Sequence, residues 1–156
     1  MKTMDALESL IVKHPFLSGL DPHFYHFFNE CAFLRRYEPG QEIFHERGNA
    51  ERFYLIQSGK VALETFVPGR GMVTIQTLEP GEALGWSWLF PPRQWHFSAS
   101  ATEPTELVEF DAAHLREKTE ENRDFANELI RRVASILLER LQGTREQLID
   151  VYRMRP

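Results

Sequence analysis

The sequence predicts a mainly β domain with helices at both ends, an antiparallel sandwich or barrel between an N-terminal helical entry and a long C-terminal helix. Three observations carry this. Between Gln41 and Phe110 apolar residues alternate in short runs, and those runs are bounded by Gly- and Pro-containing pairs. The pairs recur at roughly the eight- to twelve-residue spacing of sandwiches and barrels. Before Tyr37 and after Asp111 the apolar period is helical instead. The 156 residues suffice for one core, so the chain is read as a single domain over residues 1–156.

Helices occupy about residues 5–37. From Asp5, Leu7, Leu10 and Ile11 recur at helical spacing until Pro15 limits the run. Asp21 is placed as an N-cap with Pro22 at the first helical position, a pairing that satisfies an orphan amide and presets φ. Phe24, Phe27, Phe28 and Cys31 form the apolar stripe, and the helix is expected to end before Tyr37, ahead of the Pro39-Gly40 turn.

The β-region spans about residues 40–110, with strands expected at 43–45, 53–56, 60–67, 72–78, 97–101 and 105–110. Ser58-Gly59 reads as a hairpin turn joining the second and third of these. Helices then fill about 111–153, with Asp111 as an N-cap and a longer helix beginning near Asp124. Along it Phe125, Leu129, Val133, Ile136, Leu137, Leu141, Leu148 and Val151 recur at helical spacing, and Gly143 interrupts the run.

Composition narrows the function. A content of 42% hydrophobic and 26% charged residues is that of a folded domain. The net charge of -5 argues against the whole chain binding nucleic acid. Cys31 is the sole cysteine, no apolar run reaches membrane-spanning length, and the first sixteen residues lack a leader's uncharged core. A cytoplasmic location is expected. Catalytic signatures are missing: there is no G-x-S-x-G elbow, P-loop or H-E-x-x-H. The His23/His26 pair lacks the further ligands of a metal site. Neither an enzyme nor a metalloprotein is expected.

The local anomaly is Pro80–Ala101, PGEALGWSWLFPPRQWHFSASA, which contains all three tryptophans of the chain. A loop of this composition between two strands of a barrel is shaped to hold a small ligand.

The order of segments resembles the cyclic-nucleotide-binding domain family, the catabolite-activator type in particular. FLSGLDP, EPGQEIF, FYLI, SGKV, LEPGEALGW and SASATEPTELVEF occur in that family's order. The resemblance implies a double-stranded β-helix, a jelly-roll or cupin-like β-roll, with N-terminal helices and a long C-terminal helix. It also implies a phosphate-binding cassette at residues 85–99 and a cyclic nucleotide or related small molecule as ligand.

Carried over position by position, Gly85 matches the cassette glycine. Trp86 stands where the family has a ribose-binding glutamate, and Phe97 where it has the phosphate-binding arginine. Ser98 matches a phosphate-binding serine, and Thr144 a threonine that reaches the purine from the long helix. Arg93 and His96 are the nearby groups that can neutralise an anion, and the amides of Gly85, Trp86, Ser87 and Trp88 can meet it at a helix start. Trp86 or Trp95 can stack on a ring, with Ala99 alongside.

Two readings follow. In one, the chain is a stand-alone regulatory sensor that binds a small ligand in this divergent cassette. In the other, the aromatic residues fill the cassette, and the chain is a ligand-free module that docks a protein partner. Removing a buried charge partner costs several kcal/mol, so the exchange of both polar anchors for rings weighs against ordinary cyclic-nucleotide binding. An apolar face on the long helix including Leu137, Leu138 and Leu141 suits a homodimer, and in the family this helix forms the dimer seam. The family's transcription factors continue into a helix-turn-helix after it. With the sequence ending at Pro156, DNA binding by this chain alone is not expected.

Overall fold

Residues 5–154 are described by the computed structural model. Met1–Met4, part of the segment read above for a leader, and the terminal Arg155-Pro156 lie outside them. Asp5 caps α1 (Ala6–Lys13) by accepting from the Glu8 amide at 2.8 Å. The chain then makes a 3-10 turn over Pro15–Leu17, in which His14 Nδ1 accepts from the Phe16 amide at 3.1 Å. α2 (Pro22–Asn29) starts as expected, on Asp21 with Pro22 in its first turn, and buries Phe24 and Phe28.

The helical reading of residues up to 37 is corrected beyond Asn29. Ala32–Tyr37 is a strand, β1, paired antiparallel with β8 (Thr105–Asp111). The physical reason is a period of two that the preceding phenylalanines obscure. Arg36 points outward to Glu106, with Nε 3.1 Å from its carboxylate. Tyr37 points inward and donates to the buried Glu109.

The remaining strands are β2 (Glu42–Phe44), β3 (Arg52–Ser58), β4 (Val61–Val67), β5 (Gly71–Leu78), β6 (Ala83–Leu84) and β7 (Ser98–Ala101). They form two antiparallel four-stranded sheets, ordered β1-β8-β3-β6 and β2-β7-β4-β5. The Ser58-Gly59 turn is therefore not the hairpin expected of it. β3 pairs with β8 and β6, β4 pairs with β5 and β7, and the turn carries the chain from one sheet to the other. Gly59 makes that crossing feasible. Its φ is +90°, and a Cβ there would stand 2.3 Å from Thr105 Oγ1.

Between the sheets Phe44 faces Tyr54 at 5.9 Å between ring centroids. The outer side of the first sheet carries Phe53 and Phe110, which pack under the helices through Phe28 and Phe16. α3 (Ala112–Glu121) is capped by Asp111, as expected, and α4 (Arg123–Arg153) by Asn122. Phe125 anchors α4 inside a cluster with Phe24, Phe27 and Phe28. Truncating such a fully buried ring to Ala costs about 3–5 kcal/mol. Gly143 does not interrupt α4, which runs unbroken through it. No helix among the described residues is long and apolar enough to cross a membrane.

Candidate functional site

The short strand β6 delivers the chain to Gly85, whose φ of +91° turns it away from the sheet. Trp86 follows, then a 3-10 turn over Ser87–Leu89. From here the three tryptophans divide between two sides of the first sheet. Trp86 lies 5.0 Å from Phe16 and 4.9 Å from Phe53, and Trp88 lies 5.8 Å from Phe53, both on the helix-covered side. Arg116 of α3 fixes the turn by donating to the Trp88 carbonyl at 3.1 Å.

Trp95 packs on the other side, within the roll. Its ring stacks on Phe44 at 3.8 Å and 12°, with Tyr54 6.4 Å away. It also covers Gly85, where a Cβ would meet Trp95 Cη2 at 2.9 Å. The backbone holds the ring there: the Trp95 amide donates to the Gly48 carbonyl at 2.9 Å, and the Arg47 amide donates to the Trp95 carbonyl at 2.8 Å. Trp86, Trp88 and Trp95 are 6%, 0% and 4% exposed, so the cassette glycine faces packed aromatic side chains.

The polar candidates do not converge on Gly85. Arg93, with a φ of +58°, and His96 are exposed, and Phe97 is partly buried against Phe44. Ser98 is buried, and its hydroxyl accepts from the Glu46 amide at 2.9 Å. It borders a hollow with His45, Arg47 and Phe66, whereas Ala99 is part of the core. Ser87 is buried at the start of its turn. Thr144 stands on α4 and lines a different cleft, with Gln76, Glu82 and Arg140. Ser98 and Thr144 thus line separate cavities.

Two partners in this arrangement escaped the reading of the sequence. Phe44, stacked on the filling ring, and Tyr54, beside both, read in the sequence only as strand residues. Their signal is their place at the inward positions of strands that flank the loop. Arg140 stands one helical turn before Thr144, and that spacing of four marks the two as neighbours on one face.

A second feature lies on α4. Its buried residues, Phe125, Leu129 and Val133, all belong to its first third. Further along, Ile130, Leu137, Thr144 and Val151 recur every seven residues, as do Ala134, Leu141 and Leu148 between them. All the apolar members of this seam are exposed, Leu141 by 66%. A sustained repeat of seven with alternating three- and four-residue steps is the pattern by which one helix packs along another.

Residues 34–122, more than half of the chain, match the family model described as the cyclic nucleotide-binding domain. The chain belongs to that family. A putative cyclic nucleotide-binding protein from Geobacter metallireducens is similar at 28% identity and a TM-score of 0.75, over 90% of this chain and 99% of that one. The catabolite activator protein of Thermus thermophilus is also 28% identical, with a TM-score of 0.67 over 88% of this chain and 63% of that one. The regulatory domain of Toxoplasma gondii PKA, solved with cAMP, shares the fold at 17% identity and a TM-score of 0.62, over 71% of this chain and 42% of that one. No curated protein matches the sequence. Domains of this family are generally regulatory rather than catalytic.

Proposed function

We propose that this chain is a regulatory module of the cyclic-nucleotide-binding family whose cassette is closed by its own aromatic side chains. Its working surface, in this reading, is the exposed seam of α4, occupied by α4 of a second copy. The observation that carries the first part is Trp95, seated on Gly85 and stacked on Phe44. A ligand in the cassette would have to lift a buried indole, break its stack and still find a cation, with Arg93 exposed and Ser98 bonded to the Glu46 amide. The second part rests on the seven-residue repeat. A long helix with one repeating apolar seam fits another of the same period, and a copy of itself supplies one.

The module regulates by presence or pose of α4 rather than by chemistry, and a reducing cytoplasm suits its single cysteine. Burial pushes the Cys31 thiol up to about 12, which leaves it unreactive. Sedimentation velocity tests the seam: the chain should run as a dimer and Leu141→Asp as a folded monomer. A wild-type chain that stays monomeric at high micromolar concentration sinks the pairing. Titration with cAMP and cGMP, followed by tryptophan emission, tests the cassette. Entry there must move Trp95, so unchanged emission is expected, and a saturable change overturns the closed-cassette reading.

A further inference from the structure

The strand register gathers three loops at one end of the roll. β2 and β4 run toward that end and β7 runs away from it, as the pairs Phe44 with Ala99 and Glu64 with Ser98 require. The β4–β5 hairpin turns there, after the pair Val67 with Gly71, and so does the 45–51 turn into β3. β6 runs antiparallel to β3, so the 85–97 loop sets out from Gly85 at the same end. Asn49 bridges to Gln94, and the Arg47 amide donates to the Trp95 carbonyl at 2.8 Å, which joins the turn to the loop.

This end presents large apolar side chains to solvent. Phe66 and Met72, cross-strand partners at the hairpin tip, are 62% and 49% exposed, and Phe90 on the loop is 45% exposed. The Arg93 amide closes a tight turn on the Phe90 carbonyl at 2.8 Å, and the Ala50 amide donates to the Arg93 carbonyl at 2.9 Å, so this second tip is held in place. Each tip has its own arginine, Arg70 on the hairpin and Arg93 on the loop, and Arg47 borders one hollow with Phe66 and Met72. All three arginines are exposed and form no ion pair among the described residues. Of the nearby carboxylates, Glu46 accepts from the Thr65 hydroxyl at 3.0 Å and Glu42 meets His45 at 3.3 Å. That leaves the exposed Glu51 and the half-buried Glu64 against the arginines. At the opposite end Glu38, Glu79, Glu82 and Glu103 stand against Lys60, and none of the exposed large apolar residues is found there.

Exposed apolar groups beside unpaired cations call for a partner that is apolar within and anionic at its rim. A protein partner needs a continuous face, whereas these groups stand on two separate tips. A bilayer interface accepts separate tips, because acyl chains close around each one while anionic headgroups attract arginines within a Debye length. We propose that this end of the roll docks on an anionic lipid surface. Phe66, Met72 and Phe90 enter the boundary between headgroups and acyl chains, and Arg47, Arg70 and Arg93 meet the phosphates. The net charge of -5 then orients the chain, since the acidic opposite end is repelled by the same surface. Docking of this kind requires neither pairing of α4 nor a closed cassette.

Co-sedimentation of the full chain with lipid vesicles tests this. Vesicles of phosphatidylcholine mixed with phosphatidylglycerol should carry the chain down, phosphatidylcholine alone should not, and added salt should release it. Arg47→Gln, Arg70→Gln and Arg93→Gln should each weaken the association about fivefold. Phe66→Ser combined with Phe90→Ser should weaken it about tenfold or more. Both replace exposed groups, so circular dichroism should not change. Phe90→Trp places an indole on the loop tip, and its emission should turn blue on the mixed vesicles, while the buried native tryptophans of the wild type should not respond. No association with mixed vesicles at low salt gives the tips to a protein partner and overturns the proposal. Association that persists undiminished in the double serine variant overturns it too. So does association abolished by Leu141→Ser, which would place the contact on the exposed face of α4 instead.

Discussion

Trp95 and His14 show how much depends on single side chains here. Trp95 fills the space between Phe44, Tyr54 and the bare face of Gly85, so its removal leaves a cavity among aromatic rings. Trp95→Ala should cost about 3–5 kcal/mol, measured by urea unfolding. A loss below about 1 kcal/mol would show that the ring is loosely held. His14 is 3% exposed, and both ring nitrogens are engaged. Nδ1 accepts from the Phe16 amide, so the neutral ring carries its proton on Nε2 and donates to the Ile56 carbonyl at 3.1 Å. Burial holds its pKa below the usual 6.5, against a smaller opposing effect of the Ile56 hydrogen bond. The unfolded imidazole therefore protonates first as the pH falls. The contribution of His14 to stability is full above about 6.5 and is lost as the pH drops through that value toward the lower folded one. As the pH falls from about 7.5 to 5, the wild type should lose more stability in urea unfolding than His14→Gln does. Equal losses would remove His14 from the account.

At the scale of elements, two glycines that look alike in the sequence have opposite roles. Gly59 carries the chain between sheets with φ at +90°, and Pro104 O and Thr105 stand within 2.6 Å of any added Cβ. Gly143 sits in the helical backbone of α4 with nothing within 4 Å. Thermal melts should separate them: Gly59→Ala destabilises by more than about 2 kcal/mol, while Gly143→Ala stabilises by about 0.5–1 kcal/mol. The same pair marks the limit of local reading. The strands from β2 to β5 and the caps at Asp21 and Asp111 were legible, because each is set by neighbouring residues. Which strand pairs with which was not. Ser58-Gly59 has the composition of a hairpin, and only the distant Thr105 makes it a crossing. β1 was hidden for a related reason: Leu34, three residues after Cys31, continues the helical stripe of α2, and the partner that makes it a strand lies in β8.

Across the whole molecule the roll and α4 as far as Ile136 form one packed body, and the rest of α4 carries its apolar groups outward. The sequence showed the aromatic loop and the two-sided helix, since both are dense local patterns. It left open whether the tryptophans line a pocket or fill it, because that depends on Phe44 and Tyr54 from other strands. In the sequence Arg140 is one more charge between apolar positions, and its depth follows only from where β6 passes. The distribution of indoles has a practical consequence. With all three in one loop, the native fluorescence of this chain originates from that loop alone, two emitters on the helix side and one inside the roll. A spectrum that turns red before circular dichroism changes would time the loop's release against collapse of the barrel, with no label attached.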